Sequence, residues 1–344
     1  MTEAQPPVFV VVVEEPSDAG ARADVVLGRR VPGLSRRVAR QRGLAGAMRI
    51  DGRRAVPADK VDLGSRIELQ MGAGASEPVP PVEILAVTPR FVYVAKPPGI
   101  HTQRIRPDDP PTLADAVAVH HPECVTAGPS PREGGAVHRL DHGTSGVVCF
   151  ARDAESWQRG RDAFTAGAAN KTYLARVTHA LPTQVPLVTA GSVRRVRYAG
   201  PALEGIMAGS AATDGLCVDA PLGPKSGAAG ERRVQLADHG RDAITDVWTV
   251  APGSPSDSSA PTPPDMVVLT LHTGHRHQAR VHLAALGSPI VGDALYSQPA
   301  SEPAQAGQAL LLHAAALDLS AAFPDEVRVV APLPPRFWDT TPPQ

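Results

Sequence analysis

The chain has 344 residues, of which 42% are hydrophobic, and a net charge of −1, so it is neither a highly charged tail protein nor disordered as a whole. Its 36 prolines and 31 glycines predict long linkers between roughly two folded domains. No apolar run approaches the ~20 residues that a membrane helix needs, and no secretory signal is visible. Three isolated cysteines argue against a disulfide framework or a zinc site, and together these features predict a cytoplasmic protein.

The first predicted element is a run of β-branched apolar residues at 8–13, which we interpret as a buried strand. A basic segment follows: residues 22–54 contain ten arginines and two aspartates, a net charge of +8. Such a patch is typical of a protein that binds the phosphate backbone of a nucleic acid. A solvated surface explains the charge run equally well, because the chain has only four lysines and uses arginine for most of its cations.

The order of elements in this segment is informative. Ser35 is predicted to cap a short helix, and Asp51-Gly52 predicts a tight turn between two strands. Two short helices followed by strands resemble the small RNA-binding domain of the ribosomal protein S-four type. The matching residues are Arg22-Ala23-Asp24 with Leu27, Leu34-Ser35-Arg36-Arg37, Ile50-Asp51-Gly52, and Gly64 before Ile67. The candidate RNA-binding residues are Arg36, Arg37, Arg40, Arg53 and Arg54.

Composition predicts the domain boundaries. A small basic domain covers residues 1–71, a linker 72–83, and a larger domain 84–338, with a frayed tail at 339–344. Two low-complexity stretches interrupt the larger domain, loosely over 200–215 and near 252–264, and we expect the second to loop out.

The first candidate site is the segment His138-Arg139-Leu140-Asp141, which has glycines on both sides and precedes an apolar strand at 147–151. A nucleophilic carboxylate must stay ionised, so a partly desolvated Asp141 needs a cationic partner. An aspartate between glycines is also a common turn former, and the local sequence leaves both roles open.

A second segment alternates as a strand does and places Lys171 and Tyr173 on one face. On local grounds, Tyr173 is either a site residue or a half-buried core tyrosine.

The third segment, 273–287, predicts a helix with an apolar stripe, ended by Gly287. The stripe consists of Ala279, Leu283 and Leu286. Arg276 and Arg280 are four residues apart and are expected to share another face near the start of this helix. Two like charges there make sense if an anion faces them, and both Asp141 and an RNA phosphate are candidates.

These segments resemble the signatures of the RluA-type pseudouridine synthases. Five motifs occur in the family's order: Ala95-Lys96-Pro97-Pro98-Gly99, His138-Arg139-Leu140-Asp141 with its trailing Gly-Thr-Ser-Gly, Lys171-Thr172-Tyr173, the segment 273–296, and Leu312-His313-Ala314. The resemblance implies an α+β fold, with a mixed, mainly antiparallel sheet and a central cleft, preceded by the small α/β RNA-binding domain. It also implies that uridine in RNA is converted to pseudouridine after the base is flipped out, with no cofactor and no metal, because the product is an isomer.

By motif position, the resemblance implies that Asp141 is the catalytic carboxylate and that Arg280 holds it ionised. Tyr173 would stack on the base and is a candidate for removing the proton from ring carbon five. Arg139 would help to open the RNA helix and fill the space of the extracted base. The other residues expected to bind substrate are Leu140, Arg276, His277 and Gln278. The expected partner is RNA, with ribosomal RNA favoured and transfer RNA an alternative, and a monomer is the default.

Two other functions fit parts of the sequence. A catalytically silent RNA-binding or ribosome-associated protein would keep the fold without the reaction. A metal-dependent hydrolase would use the histidines of both loops together with Asp141, although their spacing matches no ligand signature. Those histidines are His138, His142, His275, His277 and His282.

Overall fold

A computed structural model of the chain describes residues 8–32, 34–44, 46–70, 79–104, 110–130, 133–198, 209–224, 233–252, 266–297 and 309–338. These residues fall into two compact units, one within 1–79 and 106–111 and the other within 80–105 and 112–344. In the part of the chain so described, no helix is both long enough and apolar enough to cross a bilayer. The tail and, apart from residue 252, the insertion near 252–264 lie outside the described residues. So do residues 72–78 of the predicted linker, whereas its last residue, Glu83, already begins a strand.

The described residues of the smaller unit form two helices and a four-stranded antiparallel sheet. Its elements are β1 (Val8–Val12), α1 (Ala23–Arg30), α2 (Arg36–Leu44), β2 (Met48–Ile50), β3 (Arg53–Arg54) and β4 (Arg66–Gln70). The strand order is β1-β4-β2-β3. Both helices pack on one face of this sheet around a single apolar core.

Local sequence signals account for most of this unit. Ser35 accepts a hydrogen bond from the backbone N–H of Val38 through its hydroxyl, as an N-cap does. Asp51 and Gly52 both have positive φ, as a tight hairpin turn between β2 and β3 requires. The prediction of a strand at 8–13 is confirmed over Val8–Val12, but the prediction that this strand is buried is wrong. β1 lies at the edge of the sheet, and its alternate valines (Val8, Val10 and Val12) are 44–49% exposed.

The larger unit contains three helices and thirteen strands among the described residues. Its strands are β5 (Glu83–Val87), β6 (Phe91–Lys96), β7 (Ser145–Ala151), β8 (Asn170–Arg176), β9 (Ser192–Arg197), β10 (Gly209–Ala211), β11 (Asp214–Asp219), β12 (Leu222–Pro224), β13 (Val234–Leu236), β14 (Ile244–Pro252), β15 (Met266–Leu271), β16 (Leu312–Asp318) and β17 (Val329–Val330). Its helices are α3 (Leu113–His120), α4 (Ala154–Thr165) and α5 (Gln278–Ala285), and 3-10 turns cover Pro122–Thr126 and Pro335–Phe337.

Eleven of these strands form one sheet with the main order β5-β6-β7-β16-β8-β15-β14-β11-β9. The pair of β16 with β7 is parallel, and the other pairs are antiparallel. The predicted fold class, α+β with a mixed and mainly antiparallel sheet, is confirmed. Two strands, β10 and β11, begin or lie within the predicted low-complexity stretch at 200–215, so this stretch is in part regular structure. The small residues of this stretch do not predict strands, but pairing with β14 stabilises both of them.

Helix α5 packs on the sheet with the face that the sequence predicts. Ala279, Leu283 and Leu286 lie in a core cluster with residues of β8, β11, β14 and β15. Gly287 follows the helix with a φ of 77°, which a glycine adopts without strain. Arg276, however, lies two residues before the first residue of α5, so the predicted shared helical face with Arg280 is wrong. The helix begins later than predicted because His277, at the N-cap, adopts the left-handed conformation.

Candidate active site

A cleft in the larger unit brings together the loop before β7 and the segment that leads into α5. It is a partly open cleft with a cavity volume of about 90 Å³. All eight residues predicted to be catalytic or to bind substrate line it: Arg139, Leu140, Asp141, Tyr173, Arg276, His277, Gln278 and Arg280. Motifs that are far apart in the sequence therefore converge on one cavity.

A buried lysine holds the loop that carries Asp141. The Lys96 ammonium, at the end of β6, donates hydrogen bonds to the backbone carbonyls of Pro97 (3.1 Å), His142 (3.2 Å) and Thr144 (2.7 Å). Burial lowers the pKa of Lys96 to about 7, although the negative charge of Asp141 acts in the opposite direction. Two of these carbonyls, those of His142 and Thr144, follow Asp141 closely in the sequence. The lysine therefore fixes the path of the backbone next to the carboxylate.

Thr102 holds the same loop from a second side. Its hydroxyl accepts a hydrogen bond from the Leu140 N–H (3.2 Å) and donates one to the Leu140 carbonyl (3.3 Å). The Thr144 N–H also donates to the Asp141 carbonyl (3.0 Å), which closes a turn. Sequence reasoning assigned no role to Lys96 or Thr102; the only signal was that Lys96 lies in a matching motif.

Arg280 lies between two carboxylates. Its Nη1 is 3.8 Å from Asp141 Oδ2, while its Nε and Nη2 each donate to Asp293 at 2.7 Å. The bidentate geometry and the complete burial of Asp293 make this the stronger of the two contacts. Asp293 also accepts hydrogen bonds from the N–H groups of Leu295 and Tyr296. Sequence reasoning missed Asp293 as a partner, although it lies inside the matching 273–296 segment.

His277 is the second neighbour of Asp141. Its Nε2 is 3.8 Å from Asp141 Oδ2, and its Nδ1 is 2.8 Å from the Tyr296 hydroxyl. Burial lowers the pKa of His277, with Arg280 and Arg276 adding to the effect and Asp141 opposing it. The imidazole is therefore neutral near pH 7 and can donate from one nitrogen only.

Tyr173, on β8, lines the cleft and packs against the core clusters on either side of it. Burial raises the pKa of its phenol, and the negative charge of Asp141 raises this pKa further. A phenol in this environment stays protonated at neutral pH, so it is better suited to stacking and hydrogen bonding than to proton removal.

The remaining predicted substrate residues differ in what they can offer. Arg139 and Arg276 are exposed, and the structure shows no ion pair for either among the described residues. Leu140 is buried and supplies an apolar wall. Gln278 accepts from Thr273 and from the His275 N–H, and it donates to Ile244 and Thr245. Its amide is thus fully used within the protein, and a substrate contact would break one of these hydrogen bonds.

The arginines of the smaller unit divide into two groups. Four of them are paired with buried aspartates: Arg29 and Arg30 with Asp18, and Arg22 and Arg36 with Asp24. Of the predicted RNA-binding set, Arg40, Arg53 and Arg54 are exposed and show no ion pair to a described residue. Arg37 is exposed on α2 beside Arg36. Over the described residues, the basic segment therefore contains arginines that pair with buried aspartates as well as exposed arginines, of which Arg40, Arg53 and Arg54 show no ion pair.

The histidines are not arranged as metal ligands. Over the described ranges, no group of three or more His, Cys, Asp or Glu side chains could hold a metal ion. His138 accepts a hydrogen bond from the Cys149 N–H and stacks on Phe164 at 4.4 Å, and burial lowers its pKa to about 3. Its ring is thereby held by the protein itself.

Comparisons with known proteins agree with the geometry. Residues 90–285 match the family model for RNA pseudouridylate synthase. The chain is 28% identical over 92% of its length to a ribosomal large subunit pseudouridine synthase D from Xanthomonas campestris, of which 87% is covered. It is 29% identical, over 92% of its length, to the protein of the same name from Xylella fastidiosa, of which 86% is covered.

Among solved structures, human RNA pseudouridylate synthase domain containing 1 shares the fold, with a TM-score of 0.51 and 22% identity over 78% of this chain and 89% of that one. The family predicted from the five motifs is confirmed. The chain therefore belongs to the RNA pseudouridine synthases, the enzymes that isomerise uridine to pseudouridine within RNA.

Proposed function

We propose that this pseudouridine synthase acts on ribosomal RNA and that Asp141 is its catalytic carboxylate. The position of Asp141 carries the proposal. Its side chain is 28% exposed in the cleft, with Arg280 and His277 each 3.8 Å from the same oxygen. A carboxylate with an open face and two fixed neighbours is ready to react with a sugar or base that enters the cleft.

The reaction breaks the bond between C1′ and N1 of uridine and forms a bond between C1′ and C5 after the uracil has rotated. The proton lost from C5 is balanced by a proton gained at N1, so the product is an isomer. Asp141 supplies an electron pair at the sugar or the base, and Arg280 and His277 hold its carboxylate in place. Tyr173 stacks on the uracil as a neutral phenol, which its raised pKa supports.

A stacked base cannot reach Asp141, so the target uridine must flip out of its helix, at a cost of a few kcal/mol. Arg139, exposed beside the cleft, fills the space that the base leaves. Phosphate contacts of exposed arginines, such as Arg40 and Arg53, offset part of this cost and make binding salt-dependent.

Ribosomal RNA is proposed because two relatives that align with 92% of this chain are named for the ribosomal large subunit. The basic segment of the smaller unit supports a large structured RNA. A cytoplasmic location agrees with this substrate and with three cysteines that are free and buried.

The test measures tritium release from RNA labelled at uracil C5, prepared from cells that lack this gene and separated into ribosomal and transfer fractions. Wild type is expected to release tritium from ribosomal RNA. Asp141→Asn is expected to release none while binding the same RNA with unchanged affinity. The matched control is Asp325→Asn, which removes an 80% exposed carboxylate and should behave as wild type. Activity in Asp141→Asn would refute its role, and release from transfer RNA alone would refute the substrate.

A further inference from the structure

We propose that Tyr296 is a positioning residue that fixes the proton of His277 on Nε2, so that this nitrogen donates to Asp141. The inference rests on the proposed role of Asp141. It adds a hydrogen bond from His277 as a second interaction, besides that of Arg280, that positions the Asp141 carboxylate. It follows from three contacts that join Val234, Tyr296, His277 and Asp141 in a line.

The direction of these hydrogen bonds is set at one end by a backbone N–H group, which can only donate. The Val234 N–H, on β13, donates to the Tyr296 hydroxyl oxygen at 3.1 Å. Among the described residues, the acceptor that the structure gives for the hydroxyl proton is His277 Nδ1, at 2.8 Å. Nδ1 therefore accepts, and a neutral imidazole that accepts at Nδ1 carries its proton on Nε2.

The Nε2–H then faces Asp141 Oδ2 at 3.8 Å. This distance exceeds a hydrogen bond, and such contacts often close only when substrate is bound. The opposite tautomer would place a lone pair against the carboxylate and repel it. The tautomer thus decides whether His277 holds Asp141 or pushes it away.

The surroundings fix both rings. Asp293 accepts from the Tyr296 N–H, and the Arg280 guanidinium lies 5.1 Å from the centre of the Tyr296 ring. Because Arg280 also reaches Asp141, the contacts form a closed ring of five residues, in which Tyr296 contacts Asp293 through its backbone N–H. His277 has a φ of 57°, a backbone conformation that a non-glycine residue keeps only when its surroundings enforce it.

The protonation states agree with this arrangement. The groups that face His277 are Asp141, Arg280, Arg276, Asp293 and Tyr296, and the net effect with burial is a lowered pKa for the imidazole. Burial raises the pKa of Tyr296, so its hydroxyl keeps the proton that it donates.

The test begins with the wild-type protein labelled with 15N-histidine, in which the His277 signal is assigned from its loss in His277→Gln. The imidazole shifts are expected to show protonated Nε2 and unprotonated Nδ1 near pH 7. A protonated Nδ1 in wild type overturns the proposal without any further variant.

Tyr296→Phe removes only the hydroxyl and keeps the ring beneath Arg280. The Nε2–H signature should be lost or mixed, and kcat should fall about three- to tenfold with KM unchanged. The pKa of His277, followed through the same imidazole shifts, should rise, because the lost hydrogen bond favoured the neutral ring. Tyr198→Phe, the matched control, removes a hydroxyl from a tyrosine that packs on Trp248 outside this cleft and should change none of these.

A double-mutant cycle separates positioning from a merely structural role. In a His277→Ala background, Tyr296→Phe should lower kcat no further. An equal loss in both backgrounds, or an unchanged tautomer in Tyr296→Phe, would overturn the proposal. Failure of the proposed function would look different: Asp141→Asn would stay active while the wild-type imidazole still showed Nε2–H.

Discussion

Replacement of Asp293 by asparagine tests whether the buried pair with Arg280 stabilises the catalytic unit. The Asp293 side chain is fully buried and accepts four hydrogen bonds, two from Arg280 at 2.7 Å and two from backbone N–H groups. An asparagine keeps the shape but turns an NH2 group toward these donors and leaves Arg280 without its main counter-charge. Breaking a buried ion pair in this way costs about 3–5 kcal/mol. We expect the lower end, about 3 kcal/mol, because Asp141 remains within 3.8 Å of Arg280.

Urea unfolding followed by tryptophan fluorescence measures this loss. The three tryptophans, Trp157, Trp248 and Trp338, all lie in the larger unit, so their emission reports the unit that contains the pair. Asp325→Asn is the matched control, since the same change in an exposed pair with Arg90 should cost less than about 1 kcal/mol. If Asp293→Asn lost no more free energy of unfolding than this control, the stabilising role of the pair would be refuted.

Three further results are expected. Burial lowers the pKa of Lys96 to about 7, well below the ~10.4 of an exposed lysine. Between these two pH values the unfolded chain binds more protons than the folded one, so the free energy of unfolding rises with pH. Urea titrations at pH 7 and pH 10 should show a smaller rise for Lys96→Met than for wild type. Gly146→Ala, at a φ of 123°, places a Cβ against the Ala314 carbonyl of β16 and should cost more than about 2 kcal/mol of unfolding free energy. Gly287→Ala, with open space around its Cβ, should cost about 1 kcal/mol by the same assay. Replacing Arg40 and Arg53 by glutamine should reduce the slope of log affinity for RNA against log salt by about 1.4–1.8, and an unchanged slope would contradict phosphate contacts there.

The elements of the site were predictable where the local sequence decides the structure. The apolar stripe of α5 and the glycine after it predicted the buried face and the end of this helix. Both signals are local, because they depend on a 3.6-residue period and on a positive φ. The loop with Asp141 was predictable because its glycines and the following apolar strand are adjacent in sequence. The convergence of these motifs on one cleft came from the family resemblance.

The partners of the charged groups were not predictable. Arg280 pairs with Asp293, thirteen residues away across a turn, and Lys96 donates to carbonyls that are more than forty residues distant. The sequence does not indicate which backbone carbonyls will accept hydrogen bonds from Lys96. Whether Arg280 pairs with Asp141 or with Asp293 depends on tertiary packing. The start of α5 was also misplaced, because His277 adopts a left-handed conformation that no propensity favours.

The place of β16 in the sheet has a consequence for biosynthesis. This strand comes last of the sheet's long strands in the chain, yet it lies between β7 and β8. Until the ribosome has released residues 312–318, both neighbours present open edges on which another nascent chain could pair. A chain cut short before this point would therefore have two unjoined half-sheets, prone to aggregate, and its cleft would lack the wall that Leu312 supplies.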